Sequence, residues 1–247
     1  MAFSREEIIK AGLVSGTDKI SHHLYERFYS DFLSQDDIEN EILEIGYGAG
    51  DGINFWQHLY PNCFLNVIDK NLEMTGKNYE VYKCDQSSLI DLKMLQEKLE
   101  GRKIELIVDD GSHVPEHQIF SFNILFKNLL LPGFTYIIED IETSFWKSGS
   151  VYGYPTNYGY NSKKSIINSF SKILNWINKE FLLENERKML RKQIEVAGFD
   201  IECVDSIKSI TFGHNILAIK KKTIKDLQLN NRKYRFSKYL YGSGKGF

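Results

Sequence analysis

The sequence from Ile42 to Lys222 alternates short apolar runs with longer amphipathic stretches, and this alternation limits the fold more than any other feature. Apolar runs of this length, each followed by polar or glycine residues, are typical of buried strands in a parallel sheet. We predict strands at Glu41–Ile45, Phe64–Asp69, Tyr79–Lys83, Ile104–Val108 and Thr135–Glu139. Helices are expected near Ile53–His58, Leu89–Leu99, Glu116–Leu130 and Ile166–Ala197. The pattern indicates an α/β fold of βαβ units, a mostly parallel sheet with helices on both faces.

The two ends of the chain depart from this alternation. After Gly198 come two apolar runs around a tight connection, which predict a terminal β-hairpin with Phe212–Ile219 as its stronger half. Near the N-terminus, Asp18–Phe32 has the pattern of a helix rich in aromatic residues. We therefore expect an N-terminal helical cap over residues 1–40, the α/β domain over residues 41–222 and a basic tail over residues 223–247.

Charge is unevenly distributed along the 247 residues, although the totals nearly balance at 31 Lys and Arg against 33 Asp and Glu. From Lys220 onward there are nine bases and one acid, Asp226, whereas the preceding residues sum to −10. An acidic body argues against nucleic acid as the main partner. The tail could be a solvated arm, a contact within a homo-oligomer, or a nucleic-acid contact. Its basic and aromatic residues include Arg232, Lys233, Tyr234, Arg235, Phe236, Lys238 and Tyr239.

Composition and cysteine content bound the class of protein further. With 42% apolar and 26% charged residues, the chain is neither disordered nor a disulfide scaffold. Its three cysteines, Cys63, Cys84 and Cys203, lie far apart without a CxxC pair, which fits a reducing compartment. The sequence shows no signal-peptide core and no apolar stretch of membrane-spanning length. We expect a cytoplasmic protein with no membrane partner.

A glycine-rich loop, GYGAG, follows the first predicted strand directly. Glycine there lets the backbone turn sharply and lets a ligand approach without a Cβ in the way. A dinucleotide-binding fingerprint would need a third glycine where the chain has Asp51. An acid in the strand end, Glu44, instead suits a cationic ligand without phosphates. The alternative is a strand-to-helix turn that binds nothing. The candidate binding residues of this loop are Glu44, Gly46, Tyr47, Gly48 and Gly50.

Polar residues also follow the next two predicted strands. Asp69 ends the second strand, where an acid can accept hydrogen bonds from a ribose diol. Asp85, Gln86 and Ser87 end the third unit, where a carboxylate could meet an adenine amino group. The alternative at each place is a surface residue with no ligand.

Two acidic pairs end the neighbouring strands that follow, Asp109-Asp110 and Glu139-Asp140. Parallel strands deliver such residues to one edge of the sheet, where carboxylates repel one another unless a positive charge lies between them. A hard divalent cation such as Mg²⁺ or Mn²⁺ would supply that charge. The alternative is that these acids cap helices. His113 comes three residues after Asp110 and is the candidate proton acceptor, because histidine titrates near neutral pH.

Together, the glycine loop, Asp69, the Asp85–Ser87 segment and the strings DDGSHVPEHQIFSF and YIIEDIETSFW resemble a known group. They look like class I S-adenosylmethionine-dependent methyltransferases, specifically the metal-dependent sugar O-methyltransferases of macrolide and surface-polysaccharide pathways. The resemblance covers roughly Gly16 to Lys222. It implies a Rossmann-like fold with a seven-stranded, mostly parallel sheet that ends in a β-hairpin. It also implies S-adenosylmethionine and Mg²⁺ or Mn²⁺ as cofactors.

The resemblance further implies roles for individual residues. The glycine loop would hold the methionine part of the cofactor, Asp69 the ribose, and the Asp85–Ser87 segment the adenine, with Asp109 as a further contact. The implied metal ligands are Asp110, Glu139 and Asp140, and the implied catalytic residues are His113 and Asp110. The N-terminal string GTDKISHHLYERFY resembles a segment that covers substrate and cofactor, which brings in Thr17, Asp18 and Tyr25.

The acceptor is expected to bind the segment Phe145–Tyr160, whose aromatic rings with hydroxyl tips suit a sugar. We expect a nucleotide-diphosphate sugar destined for a surface or capsular polysaccharide. The chain departs from the family here, because Trp146 is not soon followed by a double glycine, and Pro132-Gly133-Phe134 stands where Pro-Gly-Gly is common. A catechol or polyketide-type acceptor, or RNA bound through the basic tail, are the alternatives.

Overall fold

The structure is a computed structural model that describes residues 2–34 and 38–229. Most of these residues surround one sheet of eight strands. The sheet strands are β1 (Glu41–Ile45), β2 (Phe64–Asp69), β3 (Met74–Gly76), β4 (Tyr79–Lys83), β5 (Ile104–Asp109), β6 (Leu130–Glu139), β9 (Ile207–Phe212) and β10 (Ile216–Lys221). Their order across the sheet is β3-β4-β2-β1-β5-β6-β10-β9. A separate two-stranded hairpin consists of β7 (Ser150–Val151) and β8 (Tyr154–Pro155).

The five central strands, β4, β2, β1, β5 and β6, run parallel, whereas β3, β10 and β9 are antiparallel to their neighbours. The chain moves from β1 to one side of the sheet and returns at β5 on the other. Such a reversal of strand order opens a crevice at the carboxyl ends of the two strands, where α/β proteins bind ligands. The crevice here lies between the loops that follow β1 and β5.

Helices cover both faces of the sheet and bury two apolar clusters. The helices are α1 (Arg5–Ser15), α2 (Asp18–Ser21), α3 (Glu26–Phe32), α4 (Asp51–Leu59), α5 (Leu89–Lys98), α6 (Pro115–Asn128), α7 (Ile166–Ile177), α8 (Glu184–Val196), α9 (Ile201–Asp205) and α10 (Ile224–Leu229). Short 3₁₀ helices span Ile141–Phe145 and Lys179–Phe181. Because side chains alternate along a strand, Leu43 and Ile45 of β1 join one cluster and Ile42 joins the other.

The N-terminal helices α1 to α3 pack with α4 on the Ile42 face. Ile8 of α1 and Tyr29 of α3 are completely buried there, together with Trp56 of α4. Glu44 alternates onto the same face as Ile42, so its carboxylate lies beneath these helices. None of the helices that the structure describes is long and apolar enough to cross a membrane.

Several predicted elements are observed, and others need correction. Three predicted strands coincide with β1, β2 and β4. The sheet has eight strands instead of seven, since the three-residue β3 adds an edge too short to leave a pattern. The predicted helix Ile166–Ala197 is divided into α7 and α8 by a 3₁₀ turn. The predicted helix Asp18–Phe32 is likewise two helices.

The terminal hairpin is present, but its predicted boundaries were wrong. Phe212 ends β9 and Ile216 begins β10, so Phe212–Ile219 spans the turn and is not one strand. Asn215 in that turn has a φ of +62°, a left-handed conformation that asparagine tolerates. Residues 230–247, which hold most of the predicted basic tail, lie outside the described residues.

Candidate active site

A cavity of about 600 Å³ opens at the carboxyl edge of the sheet, next to β1 and β5. Six of the residues predicted to bind cofactor or metal line it: Gly46, Gly48, Asp69, Asp85, Gln86 and Asp110. The other seven residues predicted to bind cofactor or metal are not part of its lining: Glu44, Tyr47, Gly50, Ser87, Asp109, Glu139 and Asp140. The cavity therefore joins the ends of four parallel strands, as the sequence pattern indicated.

Two glycines allow the loops around this cavity to approach one another. Gly46 has a φ of +100°, and a Cβ there would lie 2.2 Å from the carbonyl oxygen of Asp110. A Cβ on Gly111 would lie 2.1 Å from the side-chain oxygen of Gln86. Larger residues at these positions would push apart the loops after β1, β4 and β5.

Asp69 and Asp85 form the acidic end of the cavity. The carboxylate of Asp69 accepts hydrogen bonds from the backbone amides of Asn71, at 2.7 Å, and Leu72, at 3.1 Å. Ser87 donates to Asp85 from both its amide and its hydroxyl, at 2.8 Å and 2.6 Å, and thereby orients that carboxylate. Burial raises the pKa of Asp85, but the hydrogen bonds from Ser87 and Lys70 together lower it by more, so the net shift is downward.

Asp109 corrects one expectation, because its side chain points into the interior and not toward the cavity. It is fully buried and accepts hydrogen bonds from Gln86 at 3.2 Å, Ser121 at 3.1 Å and Tyr136 at 3.2 Å. Burial raises the pKa of this carboxyl group. Asp109 thus holds Gln86 and the loop after β5 in place from the protein interior. A ligand in the cavity would not touch it, because Asp109 is not part of the lining.

A buried lysine of α2 lies among the acids at the strand ends. The ammonium of Lys19 is 2.6 Å from Asp110, 2.5 Å from Glu139 and 3.3 Å from Glu44. Burial alone would lower the pKa of Lys19, but the three carboxylates raise it well above its ordinary value. We expected a positive charge between these acids and assigned it to a metal ion. In the structure Lys19 supplies part of it, and sequence reasoning missed this residue.

Glu139 is placed differently from its predicted role as a metal ligand. Its carboxylate is completely buried and accepts hydrogen bonds from Lys19 and from the hydroxyl of Tyr29. The other predicted ligands, Asp110 and Asp140, instead form a cluster with His113, whose ligand atoms lie within 4.8 Å of one another. Glu139 thus shares Lys19 with Asp110 but is not one of the three residues of the His113 cluster.

The cluster of Asp110, His113 and Asp140 can hold a divalent cation. Nε2 of His113 is 4.0 Å from Asp110 and 3.8 Å from Asp140. Among the described residues, the buried Nδ1 of His113 has no hydrogen-bond partner. Two carboxylates beside an imidazole fit Mn²⁺, or Mg²⁺ that keeps some of its waters. Burial raises the pKa of Asp140, and Tyr25, drawn in by the resemblance, donates a hydrogen bond to it.

The β7–β8 hairpin covers the outer side of the cavity and belongs to the predicted aromatic segment. The ring of Tyr152 lies 5.6 Å from the ring of His113, measured between centroids. Tyr154 packs edge-on against His117, and its hydroxyl accepts a hydrogen bond from Lys70 at 2.7 Å. The hairpin thus connects the acidic end of the cavity with the His113 cluster.

Comparison with known proteins gives sequence relatives and a structural neighbour. No protein-family model matches the chain. It is 29% identical to 8-demethyl-8-alpha-L-rhamnosyl tetracenomycin-C 2'-O-methyltransferase of Streptomyces olivaceus over 142 residues. This matched region covers 53% of this chain and 36% of that protein. It is 27% identical over 132 residues to mycinamicin VI 2''-O-methyltransferase of Micromonospora griseorubida, 49% of this chain and 31% of that protein. The matched region thus spans only 36% and 31% of the length of these relatives.

The MycE methyltransferase of the mycinamycin pathway, solved with Mg, SAH and mycinamycin VI, has the same fold. It superposes with a TM-score of 0.68 at 18% identity, over 88% of this chain and 55% of MycE. The chain therefore has the Rossmann-like fold of the MycE methyltransferase, which confirms the fold that the resemblance in the sequence implied. About half of its length is also similar in sequence to the O-methyltransferases of rhamnosyl tetracenomycin-C and mycinamicin VI.

Proposed function

We propose that this chain transfers a methyl group from S-adenosylmethionine to a sugar hydroxyl, with Mg²⁺ or Mn²⁺ held by Asp110 and Asp140. The observation that carries the proposal is the position of Asp110, which lines the cavity and also belongs to the His113 cluster. Asp110 thus lies between the cavity that would bind the cofactor and the histidine that would accept the proton. The Mg and SAH present in the MycE structure support the same pairing.

The cofactor fits the cavity by charge and by shape. Asp69 and Asp85 offer carboxylates at one end, where ribose hydroxyls and an adenine amino group would bind. The backbone at Gly46 and Gly48 passes close to the cavity at the other end, and the buried carboxylate of Glu44 and the partly exposed carboxylate of Asp110 lie nearby. A sulfonium is cationic and carries no phosphate, so acids near the glycine loop favour it over a dinucleotide.

Methyl transfer requires an acceptor oxygen that loses its proton while the sulfur–methyl bond breaks and the oxygen–methyl bond forms. A divalent cation bound to a sugar diol would lower the pKa of the hydroxyl and fix its direction. With the cation held by Asp110 and Asp140 and not by His113, the imidazole beside these carboxylates keeps a free nitrogen and would take the proton. Asp110 and Asp140 then stabilise the imidazolium by charge, and Tyr152 covers the outer side of the ring.

For the acceptor we favour a sugar on an uncharged glycoside. Tyr152 lies beside His113, and its pKa is raised by burial and by the negative charges of Asp110, Asp140 and Asp18. A pyrophosphate placed at this opening would meet the same negative potential. The substrates named for the relatives, a rhamnosyl tetracenomycin and mycinamicin VI, support this choice. A nucleotide-linked sugar for a surface polysaccharide, a catechol and RNA are the competing acceptors.

A panel of acceptors tests the proposal. The chain is incubated with S-adenosylmethionine and Mn²⁺ together with rhamnosides, nucleotide sugars, catechols or RNA, and products are examined by mass for one added methyl. We expect methylation of rhamnosides that is abolished by EDTA and restored by Mg²⁺ or Mn²⁺. Full activity in excess EDTA would remove the metal from the proposal. Methylation of nucleotide sugars alone would show that the acceptor is a charged sugar and not an uncharged glycoside. Methylation of catechols or RNA alone would overturn the proposal that the acceptor is a sugar.

A further inference from the structure

The side chain of Lys19 occupies a position that a metal ion could otherwise fill. It is 2% exposed and contacts carboxylates from the ends of three strands: Glu44 of β1, Asp110 after β5 and Glu139 of β6. These oxygens are hard anionic ligands that a divalent cation also prefers. An ammonium among them therefore acts as a cation built into the chain.

Asp110 is shared between this lysine and the proposed metal cluster. Its Oδ2 atom accepts a hydrogen bond from Lys19 at 2.6 Å, whereas its Oδ1 atom is the one nearest to His113. Glu139 is engaged even more fully, by Lys19 and by Tyr29. Only part of the acid cluster is thus free to bind a metal, and the neighbouring ammonium repels any dication that binds there.

We propose that Lys19 competes with the divalent cation for Asp110 and thereby weakens metal binding. This inference rests on the proposed metal site at Asp110 and Asp140. It connects the N-terminal helices to the metal, because Lys19 belongs to α2 and reaches the cluster only while these helices cover the Ile42 face. Packing of α2 against the sheet should therefore weaken metal binding, and metal binding should weaken the packing of α2.

The test measures Mn²⁺ affinity directly, without cofactor or acceptor. Free Mn²⁺ is followed by electron paramagnetic resonance in the full chain, for the wild type, Lys19→Met, Lys19→Gln and Lys19→Arg. We expect the two neutral variants to bind Mn²⁺ at least about tenfold more tightly, because an opposing charge is gone. Lys19→Arg keeps the charge and should stay close to the wild type.

Thermal melting provides a second readout. Without metal, the neutral variants should melt below the wild type, since three carboxylates, two of them buried, lose their partner. Added Mn²⁺ should raise their melting temperature more than that of the wild type. A variant that folds only with Mn²⁺ supports the inference, because the metal then replaces the lysine. A variant that folds under neither condition assigns Lys19 a structural role and overturns it.

The outcomes also separate this inference from the proposed function. If the wild type binds no Mn²⁺, or if Asp140→Asn does not weaken binding, the proposed metal site fails. If the wild type binds Mn²⁺ through Asp140 but Lys19→Met binds it equally or more weakly, only the competition by Lys19 is overturned.

Discussion

His113 and Asp140 face each other with their backbones both in the left-handed region, at φ values of +53° and +51°, and with Nε2 and Oδ2 3.8 Å apart. This conformation costs a residue other than glycine about 1–2 kcal/mol. Contacts from neighbouring elements hold both residues: Thr143 donates to the carbonyl of His113 at 2.8 Å, and Asn215 donates to Asp140 at 3.0 Å. Strain at two facing residues is characteristic of functional sites.

The first prediction separates the charge of Asp140 from its backbone conformation. Asp140→Asn keeps a residue that tolerates positive φ but removes the carboxylate, so Mn²⁺ affinity should fall at least about tenfold with little change in stability. Asp140→Ala should lose the same affinity and about 1 kcal/mol of stability as well, because alanine is strained there. Metal titration and denaturant unfolding measure the two effects. Equal stability of both variants would show that the backbone strain is unimportant.

The second prediction concerns His113 as proton acceptor. His113→Asn tolerates the left-handed backbone, and turnover should fall about 10²–10⁴-fold because the acceptor hydroxyl loses its base. Affinity for S-adenosylhomocysteine, measured by calorimetry, should be unchanged, since His113 is not part of the cavity lining. A large loss of that affinity would instead give His113 a role in cofactor binding.

The sequence predicted the central strands and their acidic ends well, for a physical reason. Buried parallel strands carry uninterrupted apolar runs, so β1, β2 and β4 stand out between polar residues. The carboxyl ends of such strands meet at one edge, so Asp69, Asp85 and Asp110 could be placed at one cavity without coordinates. Local pattern alone determines these features.

Other features depend on contacts that no local pattern records. Lys19 lies 91 residues from Asp110 in the chain, and nothing near it in sequence indicates that its ammonium is buried. The sequence also does not indicate which way a side chain points. Asp109 points to the interior and Asp110 to the cavity, although the two are adjacent in the chain. The amphipathic pattern of Ile166–Ala197 continues through the break between α7 and α8, so the division was invisible.

The third prediction tests the close approach of loops at Gly46. Gly46→Ala should destabilise the fold by more than about 2 kcal/mol and weaken cofactor binding, because its Cβ would collide with the backbone of Asp110. Gly48→Ala is the matched control: it also has positive φ, at +54°, but open space around the new methyl. It should cost only about 1 kcal/mol. Equal losses would show that φ, and not the contact with Asp110, explains the glycine at 46.

The fourth prediction is a pH dependence that arises from His117. Burial lowers the pKa of His117 below its ordinary value of 6.5. The unfolded chain therefore binds more protons just below that pH, so stability should fall as the pH drops through 6.5 toward the folded-state pKa. His117→Gln should reduce the difference in melting temperature between about pH 7.5 and about pH 5.5. An undiminished difference in that variant would assign the effect to other groups.

The fifth prediction concerns a buried lysine far from the cavity, Lys221 of β10. Its ammonium donates to the carbonyl oxygens of Phe126, at 2.7 Å, Lys127, at 3.0 Å, and Leu130, at 2.7 Å. The first two belong to the last turn of α6, whose carbonyls have no partner within the helix and attract a cation.

Lys221→Met removes these donors and leaves buried carbonyls unsatisfied, so the free energy of unfolding should fall by about 2–3 kcal/mol. Lys220→Met, which removes a lysine one residue earlier that donates to none of these carbonyls, should change it by less than about 0.5 kcal/mol. Denaturant unfolding of both variants makes the comparison, and equal losses would contradict the capping role. Because β10 pairs with β6 up to Glu139, a looser β10 should also weaken Mn²⁺ binding at Asp140, although no residue of the cluster has changed.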